Sequence, residues 1–134
     1  MSATQRTAAP ITTSFVPDEV LEQCSSFTRA DMDALPFGVV KCDDSGRVEL
    51  YSRWETEMSG VPADQAEGRN FFTDVSPCAN NGLFFGTFKK GVAASSMNVL
   101  FPYTFTYRMR PTNVRIHLYR DEASGTNYVF VAKS

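Results

Sequence analysis

Three side chains stand out for the chemistry they could do in their surroundings: the thiol of Cys78, the phenol of Tyr51 and the carboxyl of Glu55. Cys78 closes the run Asn70-Phe71-Phe72-Thr73-Asp74-Val75-Ser76-Pro77-Cys78 and precedes Ala79-Asn80-Asn81-Gly82, which places it in a loop or at the start of a short helical turn. Partly exposed loops and helix N-termini favour the thiolate, the form that attacks an activated ester. Tyr51 ends a strand-like run and Glu55 follows four residues later. If a helical turn starts at Ser52, both side chains lie on one side and can share one ligand atom. Each also has a plainer reading. A lone cysteine serves as a small buried hydrophobe, and a Tyr-x-x-x-Glu pair as a strand-end ring beside a solvated carboxylate.

The elements that must position these groups follow from local pattern. Residues 1–14, rich in Thr, Ser and Ala without a periodic apolar face, read as a mobile tail. Residues 15–36 read as a helical cap: Asp18 and Glu19 suit the first turn of a short helix, a second short helix falls around residues 29–34, and Pro36 ends it. The core is residues 37–134. Phe37-Gly38-Val39-Val40-Lys41-Cys42 and Arg47-Val48-Glu49-Leu50-Tyr51 flank Asp43-Asp44-Ser45-Gly46 as a hairpin. Ser52 is placed to cap a helix running to about residue 58, and residues 63–67 before Gly68 form another short helical piece. Phe84, Phe85, Phe88 and Val92 fall at helical spacing and predict a longer helix packed across a sheet. Val99, Phe101, Tyr103, Phe105, Tyr107 and Met109 then alternate with more polar residues, the period of a strand with one buried face. Pro102 within it favours a sheet edge or a bulge. Two further strands lie around residues 114–119 and 128–131. Five strands paired in hairpins at both ends, with helices grouped between, predict an antiparallel α+β domain.

Composition narrows the function classes. With 134 residues, 43% hydrophobic and 13% aromatic, the chain suits one domain with a substantial core. A net charge of -2 gives no basic field for nucleic acid or an anionic membrane. No apolar run reaches the ~20 residues of a membrane span, and no signal peptide is legible, so the expected location is cytoplasmic. Cys24, Cys42 and Cys78 form no CxxC pair and the single histidine, His117, offers no metal-ligand spacing. His117, between Ile116 and Leu118, is expected on the less buried strand face. No G-x-S-x-G elbow is present.

The runs around Tyr51, Cys78 and Tyr103-Thr104-Phe105-Thr106-Tyr107-Arg108-Met109-Arg110 keep one register from about Asp31 to the C-terminus, and together they resemble the photoactive yellow protein family of the PAS superfamily. The resemblance implies a PAS-type five-stranded antiparallel sheet with flanking short helices and one longer helical connector. It implies that Cys78 carries 4-hydroxycinnamic acid (p-coumaric acid) as a covalent thioester, and that Tyr51 and Glu55 hydrogen-bond its phenolate oxygen. Ser59 matches a threonine whose hydroxyl supports the tyrosine, and a serine keeps that hydroxyl. Val61 departs from an arginine that covers the pocket in well-known members. Phe71, Pro77, Phe105 and Tyr107 are implied in the pocket, and Met109 matches a methionine linked to thermal return of the chromophore.

The implied function is blue-light sensing, with trans–cis isomerisation, proton donation by Glu55, loosening of the N-terminal segment and thermal reset. That is a photocycle and not enzymatic turnover. The expected partner is an unidentified signalling protein, and the expected state a monomer or weak dimer. Two alternatives stay open: a PAS module binding flavin, haem or a metabolite non-covalently, and a thiol redox sensor or cysteine-dependent enzyme using Cys78 with His117.

Overall fold

The computed structural model describes residues 14–134, so of the tail expected over residues 1–14 all but Ser14 lie outside the described residues. The described residues begin with two short helices, α1 (Asp18–Gln23) and α2 (Arg29–Asp33). Thr28 and Asp31 close a reciprocal capping box at the start of α2. Strands β1 (Gly38–Cys42) and β2 (Val48–Tyr51) form the expected hairpin. Its turn is fixed by Asp43 Oδ1, which accepts from the backbone N–H groups of Ser45 and Arg47 at 3.0 and 2.9 Å. Helices α3 (Arg53–Ser59), α4 (Ala63–Ala66) and α5 (Phe85–Ala94) follow, with two irregular turns, Phe71–Val75 and Pro77–Ala79, between α4 and α5. The chain ends in β3 (Asn98–Phe105), β4 (Thr112–Asp121) and β5 (Thr126–Lys133).

All neighbouring strands pair antiparallel, in the order β2-β1-β5-β4-β3. The result is the α+β, five-stranded antiparallel architecture expected from the sequence. Pro102 sits on the edge strand β3, opposite Arg115, where its missing N–H has least effect on the sheet. Side chains alternate across the sheet and feed two separate cores. Val40, Tyr51, Val114, Ile116, Leu118, Val129 and Val131 meet the buried residues of the 66–97 region on one face. Val39, Tyr128 and Phe130 meet Val16, Val20, Cys24 and Met32 of the N-terminal region on the other.

Two expectations need correction. The alternation through Met109 does not make one strand. β3 stops at Phe105, which pairs with Thr112, and the chain turns back through Arg108 at φ 52°. Tyr107 and Met109 therefore stand on a turn rather than on the sheet face. His117 is not on an exposed face: it is 3% accessible, because the N-terminal segment covers that side of the sheet. Its ring nitrogens lie 2.6 Å from Ser14 Oγ and 2.6 Å from Asn98 Oδ1.

An aromatic cluster ties the start of α5 to the sheet. Phe84 is fully buried, with ring centroids of Phe72, Phe101 and Tyr103 at 5.5, 5.5 and 5.0 Å, and Phe72 stacks on Phe85 at 4.2 Å. Such edge-to-face pairs add to simple burial. Phe84→Ala should destabilise the fold by about 3–5 kcal/mol; a urea-unfolding midpoint equal to the parent's would show that the cluster does not hold α5 to β3.

Candidate functional site

Tyr51 is the last residue of β2 and Glu55 lies in the first turn of α3, so a strand-to-helix corner sets their relation. The corner is held from several sides. Ser52 N–H donates to Val39 O at 3.1 Å and Val39 N–H donates to Ser52 Oγ at 3.0 Å. The Ser52 hydroxyl therefore ties α3 to β1 and makes no side-chain cap to its own helix, contrary to expectation. Asp33 of α2 serves the helix N-terminus instead, accepting from Arg53 N–H at 2.8 Å. Tyr51 N–H donates to Glu67 Oε2 at 3.0 Å, and Arg29 of α2 donates to the same oxygen at 2.5 Å. Gly60, at φ 80°, closes α3 in the left-handed conformation.

The corner buries both polar side chains: Tyr51 and Glu55 are each 2% accessible. Tyr51 Oη lies 2.8 Å from Ser59 Oγ, which accepts from Val61 N–H at 3.1 Å. With one acceptor position of Ser59 used in this way, its proton can go to Tyr51, leaving the Tyr51 O–H free to donate elsewhere. Glu55 Oε2 is buried without a hydrogen-bond partner. Burial pushes the Glu55 carboxyl up to about 8, so it is neutral at and below neutral pH. Burial also pushes the Tyr51 phenol up, and the neighbouring Glu55 adds to that.

Cys78 sits half-buried in the turn Pro77–Ala79. Asn70 starts the preceding turn, Phe71–Val75, by accepting from Phe72 and Thr73 N–H at 2.9 and 3.2 Å. Tyr103 on β3 donates to Cys78 O at 2.5 Å, and Asn81 donates to Tyr103 Oη at 2.5 Å, which fixes the cysteine's backbone. Burial disfavours the thiolate, but hydrogen bonding from the Ser76 hydroxyl, the N–H groups of Thr106 and Tyr107 and the Thr106 hydroxyl outweighs it. The thiol is held below its ordinary value. Burial pushes Cys24 up to about 11 and raises Cys42 further.

A cavity of about 240 Å³ lies beside these groups, lined by Tyr51, Ser59, Val61, Phe105, Tyr107 and Met109 among the residues singled out from sequence. Ser76, hydrogen-bonded to Cys78 at 3.5 Å, is also in the lining. Glu55, Cys78, Phe71 and Pro77 do not line it. Glu55 is buried next to Tyr51, and the Phe71 ring packs on Phe72 and Phe84 at 5.1 and 6.0 Å. Gln65, Arg69, Asp74 and Arg108 line the cavity without having been assigned there from sequence. The only sequence signal for them is proximity to the motif blocks. With Val61 uncharged, Arg69 and Arg108 are the cations in the lining. His117 belongs to the opposite sheet face, bonded to Ser14 and Asn98, and cannot act as a base for Cys78. No cluster of metal-ligating residues occurs among the described residues.

No protein-family model matches the chain. It is 33% identical over 119 residues to the photoactive yellow protein of Rhodothalassium salexigens, covering 89% of this chain and 95% of the relative. The identity and coverage are the same for the photoactive yellow protein of Halochromatium salexigens. Among solved structures, the photoactive yellow protein domain of the sensor histidine kinase Ppr from Rhodospirillum centenum matches with a TM-score of 0.79 at 34% identity, covering 84% of this chain and 98% of that one. The LOV protein of Rhodobacter sphaeroides, at TM-score 0.63 and 14% identity over 88% of this chain and 68% of that one, shares the fold alone.

Alkylation should distinguish the three thiols. Iodoacetamide should modify Cys78 first, with a pH midpoint below that of an ordinary thiol, and Ser76→Ala should raise that midpoint. Peptide mass mapping that finds Cys24 or Cys42 modified first, or an unchanged Ser76→Ala profile, would contradict the electrostatic account of this turn.

Proposed function

The chain belongs to the photoactive yellow protein family, and from that premise we propose that it is a blue-light photoreceptor carrying a 4-hydroxycinnamoyl group as a thioester on Cys78. The observation that carries this reading is the unpartnered, buried oxygen of Glu55 beside the Tyr51–Ser59 hydroxyl pair. A buried polar atom without a partner is costly, and a ligand oxygen able to accept a hydrogen bond would relieve it. The residues fit the group in two further respects. The cavity, of about 240 Å³, is of a size suited to one aromatic ring with a short tail. The Cys78 thiol, hydrogen-bonded to a residue of the lining, is the most easily ionised of the three.

Bound there, the group supplies absorption of blue light and trans–cis isomerisation about its double bond. The protein's part is acid–base and positional. Cys78 Sγ, as thiolate, would attack the acyl carbon of an activated donor, whose bond to its leaving group breaks as the C–S bond forms, the leaving group departing with the electron pair. Tyr51 Oη and the protonated Glu55 donate to a phenolate oxygen, and each bond is strengthened by the charge of its acceptor. Met109, Tyr107 and Phe105 wall the cavity, while Arg69 and Arg108 add positive charge to the lining.

Glu55 holds its proton at neutral pH and would give it to the phenolate oxygen after isomerisation, leaving a neutral phenol and its own carboxylate. Ionised, it becomes a buried carboxylate without a partner, which strains α3. That strain has a route outward, because Asp33 and Arg29 of α2 are bonded into the corner bearing Tyr51 and Glu55. Loosening of residues 15–36 is then the signal a partner reads. The Ppr relative is a sensor histidine kinase, and a signalling protein of that kind is the partner class proposed for this chain.

A free phenol has a pKa of about 10, so a phenolate at neutral pH depends on its donors. Tyr51→Phe should raise the apparent pKa of the chromophore and enlarge the blue-shifted neutral form. Glu55→Gln should move the anion band to the red and abolish internal proton donation. Superimposable absorbance titrations of the parent and both variants would remove the two residues from the phenolate site.

A further inference from the structure

We propose that Gly38 is the positioning residue for Glu55: the missing side chain in β1 is the space in which the carboxyl is seated. The inference rests on the reading of Glu55 as the proton-holding group of the site. Gly38 is paired with Val131 in the sheet and is followed by Val39 and Val40. Gly38 opens β1, and a glycine on a paired strand, where a β-branched residue would be favoured, marks close approach by another group.

Backbone conformation does not call for glycine at this position. Gly46, Gly60, Gly68 and Gly125 hold positive φ, and Gly38 is not among them. Space does call for it. A Cβ built on Gly38 would stand 1.8 Å from Glu55 Oε2, 2.8 Å from Glu55 Cδ and 2.7 Å from Trp54 Cε3. Oε2 is the same oxygen that is buried without a partner.

The helix cannot simply back away. Ser52 and Val39 exchange two hydrogen bonds, at 3.1 and 3.0 Å, immediately beside Gly38 and at the first turn of α3. Arg53 N–H is held by Asp33 as well. A methyl group at position 38 therefore displaces the carboxyl and the Trp54 ring edge before it displaces α3, and the displaced carboxyl must find another environment.

The test uses the full chain without chromophore, labelled with 13C at the glutamate carboxyls, with Glu55 assigned by the signal lost in Glu55→Gln. In the parent this carboxyl should titrate near 8. In Gly38→Ala its midpoint should fall toward the ~4.3 of a solvated glutamate. An unchanged or higher midpoint would overturn the proposal. Should Gly38→Ala fail to fold, the double variant Gly38→Ala/Glu55→Ala decides. Removing the carboxyl should restore a cooperative unfolding transition, and a double variant as unfolded as the single one would show that Glu55 was not the obstacle. These measurements need no chromophore, so they stand apart from the photoreceptor reading. That reading fails separately if Glu55→Gln leaves the spectrum of the loaded protein unchanged.

Discussion

The rest of the site depends on one constraint, the burial of a carboxyl group that has no countercharge. An isolated ionised carboxylate in the core would cost several kcal/mol, so the fold is compatible with Glu55 only while it keeps its proton. Burial raises the carboxyl to about 8, above its ordinary value of 4.5. The neutral form is therefore fully compatible with folding below about 4.5, and that contribution is lost as pH rises through about 8. A group in this position stores free energy that is released or spent by moving one proton.

The sheet separates two cores. One face holds the cavity, Tyr51 and the aromatic cluster around Phe84, while the other holds α1, α2 and the His117 contacts. Glu55 does not reach across the sheet. Its corner does, through backbone N–H groups held by acids: Arg53 by Asp33, and Tyr51 by the Glu67 that also pairs with Arg29. The exposed Arg29–Glu67 pair contributes little to stability as an ion pair. Its importance is geometric, because one carboxylate oxygen joins α2 to the residue that carries the phenol. These bonds are the proposed route by which a change in the packing of α3 would reach the N-terminal layer.

Much of this was legible in the sequence, for reasons that can be named. Period-two alternation and turn residues located all five strands, and the run of phenylalanines located α5. The four-residue spacing of Tyr51 and Glu55 suggested a shared environment. Alternation failed where tertiary context took over. Tyr107 and Met109 continue the pattern of β3 yet lie on a turn, because pairing with β4 ends at Phe105. His117 reads as half-exposed until a second layer covers its face. Asp33 as the cap of α3, Glu67 as the acceptor for Tyr51 and Gly38 as the seat of Glu55 rest on contacts distant in sequence, which no local pattern encodes. Arg69 and Arg108 were equally hidden, since surface arginines acquire meaning only when the fold brings them to one cavity.

The central claim, that Glu55 is a protonated buried donor whose proton moves in response to light, is tested most directly by light-minus-dark infrared difference spectroscopy on protein loaded with activated 4-hydroxycinnamic acid. The account predicts that blue light removes a protonated-carboxyl C=O band, that the band returns with the dark absorbance, and that Glu55→Gln lacks it. A reversible colour change with that band unmoved, or a loaded protein that does not respond to blue light, would contradict it.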